Sequence, residues 1–206
     1  MSIDSINGVN SVSFIQGSVN SNDFWGNDTS GFLGQLRSQI DAIKQSEDPA
    51  YQVTFGSLYS LLSIVNTLDP QNPTRIAAHN LFQAFKNMES GGSLSAVDQA
   101  LTAFEQINPA SQSYDMKAAM ANILTKKMAD EVRFNATHPA QKNLNHLQGY
   151  MDTLELIQGN AQSLGLPKFD ASNVIAECKE FIQSPSAALS AQITQDLNDL
   201  NKVIQQ

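Results

Sequence analysis

The chain has 206 residues, 41% of them hydrophobic, enough for one sizeable core or two small ones. Its formal charge of −8 and pI near 4.7 exclude the phosphate-neutralising surface of a nucleic-acid binder and disfavour anionic lipid surfaces. The polarity is uncharged in kind: 22 Ser, 19 Gln, 18 Asn and 9 Thr stand against 32 charged residues, of which only three are Arg.

Residues 1–31 differ from the rest. Seven Ser, five Asn and four Gly fill 16 of the 31 positions, and the first basic residue is Arg37. Such a composition reads as a flexible tail, with Ile3, Ile6, Val9, Val12, Phe14 and Ile15 available for docking. Within it, NSNDFWGNDTSG at 20–31 holds Phe24 and the single tryptophan, Trp25. An aromatic pair in that setting is either buried against something or awaits a partner.

From residue 32 the apolar period becomes helical and the breaks fall at Pro and Gly. Phe32, Leu36, Ile40 and Ile43 predict a first helix ending before Asp48-Pro49. Residues 49–68 carry no charge, yet only 11 of the 20 are apolar, so a central core helix is predicted rather than a membrane span. Asn72-Pro73 opens a third helix through Ile76, Leu81, Phe82, Phe85 and Met88, closed by Gly91-Gly92. Ser95 with Asp98 resembles a capping box for a fourth, through Val97, Leu101 and Phe104 to Asn108-Pro109.

A fifth helix is predicted over 113–135 on Met116, Met120, Ile123, Leu124, Met128 and Val132. Pro139 starts a sixth, expected to be the longest, running to Gly165. Asp170 or Ser172 caps a seventh through Val174, Ile175, Cys178 and Phe181, and Ser184-Pro185 opens an eighth on Leu189, Ile193, Leu197, Leu200 and Ile204. The pattern predicts an all-α bundle of seven or eight helices over 32–206 behind a polar, partly disordered N-terminal tail over 1–31.

Residue types that carry chemistry are sparse. His79, His138 and His146 have no i, i+3 or i+4 partner histidine, so no metal site is expected. Cys178 lies on an apolar stripe among Glu177, Lys179 and Glu180, the setting of a packed thiol rather than a nucleophile. The run SGGS at 90–93 follows a helix and lacks the lysine of a phosphate loop. Asp130-Glu131, Glu177 with Glu180, and Asp196 with Asp199 are paired carboxylates that only burial would turn to acid–base work. Lys126, Lys127 and Arg133, interrupted by Asp130 and Glu131, read as a solvated helix face. Met116, Met120, Met128 and Met151 read as core filling. No catalytic residue and no cofactor is assigned.

The segment MSIDSINGVNSVSFIQGSVNSN at 1–22, free of Lys and Arg and without a cleavable signal, precedes a helical body poor in Cys and Trp. In composition it resembles the export substrates of bacterial type III secretion systems. That resemblance implies an exported effector, a translocon or tip component, or a filament subunit. The expected function is therefore non-catalytic protein–protein interaction, with a host target, chaperone or secretion component as partner. The expected compartment is outside the cell without a Sec signal, or the bacterial cytoplasm. Phe24 and Trp25 in the tail, and Ile193, Leu197, Leu200 and Ile204 on the last helix, are the expected partner-binding residues, packing a helix into a groove. The alternatives are an enzyme or small-molecule binder using His79, Tyr59, Tyr114 or Tyr150 in the bundle core, and a self-assembling subunit.

Overall fold

In a computed structural model, residues 24–45, 55–141 and 144–206 are described. The tail expectation over residues 1–23 lies outside them. Among the described residues every regular element is a helix and there is no strand. Eight helices are present: α1 Phe32–Gln45, α2 Phe55–Val65, α3 Pro73–Glu89, α4 Leu94–Glu105, α5 over 116–137, α6 Asn145–Gly159, α7 Ser172–Gln183 and α8 Ala187–Ile204.

The uncharged helix α2 occupies the middle, packed against α3, α5 and α6, as its lack of charge predicts. Leu58, Leu61, Ile64 and Val65 are buried there together with Ser60 and Ser63. Pairs α3–α4, α5–α8, α6–α7 and α7–α8 build outward from it, and α1 lies on α4. The four methionines Met116, Met120, Met128 and Met151 are all buried as core filling.

Helix ends follow local chemistry. Asn72 caps α3, its side chain accepting the Thr74 N–H at 2.9 Å with Pro73 at the first helical position. At its other end Gly91 takes φ +91, and the N–H groups of Gly91 and Gly92 return to the Met88 and Asn87 carbonyls. That pairing is the Schellman stop, which a residue with a Cβ makes at a penalty.

Several boundaries differ from the sequence reading. Ser93, not Ser95, caps α4, its hydroxyl accepting the Ser95 N–H at 3.1 Å. Ser186, not Ser184, caps α8 through the Leu189 N–H. The helix expected from Pro139 starts at Asn145 and stops at Gly159, because Pro139–Gln141 is a separate 3-10 turn. It is not the longest: α8 has 18 residues, and α5 runs unbroken over 116–137 through one π turn at Met120–Leu124. Ile76, counted with the apolar stripe of α3, is exposed, and so is Val203 near the end of α8.

The π turn has a specific support. Its wider register sends the Thr125 N–H to the Met120 carbonyl, and the Thr125 hydroxyl donates to that same carbonyl at 3.0 Å. Asn201 of α8 then donates to the Thr125 hydroxyl at 2.6 Å. A polar contact inside the α5–α8 seam therefore fixes the register of the two helices.

Candidate functional site

Residues 24–31 form a strap that belongs with the bundle, so the folded unit extends at least to Phe24 rather than beginning at residue 32. The strap caps α1. The Asp28 carboxylate accepts from the Ser30 N–H, the Ser30 hydroxyl and the Gly31 N–H, and the Ser30 hydroxyl leads in holding it below the usual carboxylate range. The Gly34 N–H donates to the Gly26 carbonyl at 2.9 Å, which satisfies a first-turn donor of α1. Backbone approach here is so close that a Cβ on Gly34 would sit 1.2 Å from the Asp28 carbonyl oxygen.

That strap delivers Phe24 and Trp25 into an aromatic cluster. Phe24 and Trp25 meet edge to face at 4.9 Å between centroids, and both lie 6.1 Å from Phe32 of α1. Trp25 also reaches Phe104 of α4 at 6.4 Å and Tyr114, in the loop before α5, at 5.1 Å. The Tyr114 hydroxyl donates to the Pro109 carbonyl at 3.1 Å, and burial pushes its pKa upward. Trp25 is 2% exposed and its indole N–H is buried without an acceptor. It floors a cleft of about 350 Å³ walled by Leu33, Glu105, Asn108 and Pro109.

Charges from α1 and α4 close one side. Arg37 donates to both oxygens of Glu105, at 3.2 and 2.5 Å, to the Thr102 hydroxyl at 3.1 Å, and to Asp98. Lys44 meets Asp98 at 2.9 Å. Glu105 is thus tied through Arg37 to α1.

The residues expected to bind a partner are all in the core. Phe24 and Ile193 and Ile204 have no exposure, and Trp25, Leu197 and Leu200 have at most 6%. None of them forms an open surface in this chain: the side chains pack in the core, and the stripe on α8 faces α5 and α7. The residues proposed for a pocket in the core do not provide one as a set. His79 is exposed on α3, Tyr114 is packed against Trp25, Tyr150 is buried in α6, and Tyr59 has no described side chain. Cys178 is buried, and burial pushes its thiol up to about 12. Among the described residues no group of three or more His, Cys, Asp or Glu is placed to hold a metal ion, and no helix is long and apolar enough to cross a membrane.

The open feature is a groove of about 440 Å³ between α5 and α8. Its lining is mostly small, with Ala136 and Thr137 on one side and Ala187, Ala191 and Thr194 on the other, and Gln195 and Asn198 add amide groups. Arg133, its one charged lining residue, is paired with Asp130 at 2.5 Å. Next along α5, the exposed Phe134 stacks on His138 with ring centroids 4.4 Å apart.

One constellation was missed by pairing acids along single helices. Burial, followed by the charge of Asp196 of α8, pushes the Glu177 carboxyl of α7 up from its ordinary value, and one of its oxygens is buried without a hydrogen-bond partner. The signal was present: each acid immediately precedes a buried residue, Cys178 and Leu197, of two helices joined by a short turn. Comparison of the chain with known protein families, with curated proteins and with solved structures finds no match.

Proposed function

We propose that this is a non-catalytic protein-interaction protein, a bacterial export substrate acting as an effector or as a component associated with the secretion apparatus. The observation that carries the interaction reading is the α5–α8 groove. The Ala, Ser and Thr side chains that make up two thirds of its lining, beside Arg133, Gln195 and Asn198, let a second backbone approach closely. The absence of a titratable pair in that lining leaves nothing there for acid–base chemistry. Its occupant is an amphipathic helix of a partner protein, seated with anchors at i, i+3, i+4 and i+7. The N-terminal segment 1–22, by its resemblance to type III export substrates, serves as the address.

The test has two arms. Ala191 is exposed in the groove, so Ala191→Arg blocks it without entering the core. A partner retained by the wild-type chain and lost by this variant, at unchanged thermal midpoint, supports the reading, and equal capture by both defeats it. Residues 1–22 fused to a reporter should leave a secretion-competent bacterium and stay inside a strain with a disabled type III apparatus. Light scattering that grows with concentration of the pure chain would point instead to a self-assembling subunit.

A further inference from the structure

We propose that the cleft over Trp25 is a binding site for one neutral, hydroxyl-bearing ring, a monosaccharide unit. It lies between the strap and the loop after α4 and shares no lining residue with the α5–α8 groove, so the two sites stand or fall separately. Two independent observations meet there. The first is the cavity, whose volume of about 350 Å³ is at the low end of the range for small-molecule sites. At about 30 Å³ per water that is room for about a dozen waters, or for one sugar ring rather than a length of polypeptide.

The second is an unmet donor. Trp25 is 2% exposed, and its indole N–H has no acceptor among the described residues. Four rings pack on the indole, those of Phe24, Phe32, Phe104 and Tyr114, and the one hydroxyl among them is spent on the Pro109 carbonyl. A donor buried without a partner is rare in a folded chain and marks a place where an acceptor is wanted. Trp25 floors the cleft, so an oxygen carried to its bottom by a ligand arrives beside this ring.

The lining sets the class of ligand. Glu105 is its one charged residue, and Arg37 already donates to both of its oxygens, at 3.2 and 2.5 Å. A charged ligand meets no uncompensated countercharge here, so its desolvation goes unrepaid and a neutral one is favoured. The exposed Asn27 of the strap and Asn108 of the loop add two amides, each able to donate and accept, while the Glu105 oxygens keep lone pairs for further donors. Hydroxyl groups answer both kinds of partner. Asn108 is set for this role by its backbone: among the described residues it is the one non-glycine with positive φ, at 54°, and its side chain caps nothing in its own turn. Leu33 and Pro109 offer apolar walls to the C–H face of a ring.

Because Trp25 is the single tryptophan, its indole N–H gives one cross-peak in a nitrogen-15 spectrum of the full chain. The probes are methyl glucoside, methyl galactoside, methyl mannoside and N-acetylglucosamine, with acetylproline amide and tetramethylammonium as the neutral-amide and cationic comparators. Each is titrated past the Kd of about 1 mM expected for a ligand of about a dozen heavy atoms. At least one sugar should move the indole proton downfield along a saturating curve. Asn108→Gly keeps the left-handed backbone and removes only the amide, and it should weaken that sugar by about fivefold, the worth of one neutral hydrogen bond; Asn27→Ala should do the same. No saturating shift with any of the sugars, an equal or stronger response to either comparator, or unchanged affinity in both variants overturns the proposal. Should either variant fold poorly, the other variant and the wild-type titration decide on the same terms.

Discussion

The indole of Trp25 lies 5.1 Å, centroid to centroid, from the ring of Tyr114, so the strap before α1 and the loop before α5 close on one buried contact. The emission of this single tryptophan should therefore be blue-shifted and resistant to acrylamide in the isolated chain. Trp25→Ala should lower stability by about 3–5 kcal/mol in urea unfolding, as for other large core truncations. Trp25→Phe should lose less, because it also removes an unpartnered buried N–H that costs about 1–3 kcal/mol. A red-shifted, freely quenched wild-type signal would contradict the packed strap.

Gly34 separates strap from helix more sharply than any side chain. Its missing Cβ leaves room for the Asp28 carbonyl, which a methyl group would meet at 1.2 Å, and backbone does not yield there as a flexible side chain does. Gly34→Ala should lift the strap, shifting Trp25 emission to the red while helical circular dichroism is largely kept. Gly159, at the end of α6, has open space around its Cβ position. Gly159→Ala should be neutral or stabilising by about 0.5–1 kcal/mol, and calorimetry on the two variants gives the contrast.

The stripe on α8 provides a second test of core against surface. Leu197 is 1% exposed whereas Val203, six residues on, is 40% exposed. Leu197→Asp should unfold the chain, since it buries an unpaired charge, and Leu197→Ala should cost about 2–5 kcal/mol. Val203→Asp should leave the thermal midpoint within a few degrees of wild type. If Leu197→Asp folds and only loses association, α8 is an interface after all.

Acid should weaken the α1–α4 seam. The bond from Lys44, followed by the charges of Lys44 and Arg37, holds Asp98 below its ordinary value of 3.8. The folded value is depressed, so this stabilisation is complete above pH about 4 and is lost as pH falls through the folded value. Thermal midpoints measured between pH 2 and 5 should fall with acid in the wild-type chain, and Asp98→Asn should remove part of that slope. The contribution of Glu177 has the opposite sign, disappearing as pH rises, so the two seams respond to acid in opposite directions.

Helix number, order and most starts and stops were legible along the chain because they depend on neighbours in sequence. The 3.6-residue apolar period, Asn72 before Pro73, and Gly91-Gly92 act within one or two turns. Caps at Ser93 and Ser186 were misplaced by two residues, since a run of serines offers several equivalent hydroxyls and only backbone geometry selects one. The sixth helix was overextended because the turn at Pro139–Gln141 keeps a helical look in sequence.

What the chain could not disclose by itself is which apolar stripe meets which. The pattern on Ile193, Leu197, Leu200 and Ile204 is the same for a core helix and for an exposed docking helix, and only the packing of α5 and α7 around it decides. Phe24 and Trp25 sit in a polar segment that reads as tail, and they are core because Phe104 and Tyr114 arrive beside them from distant parts of the chain. The influence of Asp196 on Glu177 follows from the packing of α7 on α8 in the same way. Sequence determined the helices, whose hydrogen bonds close within four residues; tertiary structure alone decided the contacts, because burial is a property of faces brought together across the fold.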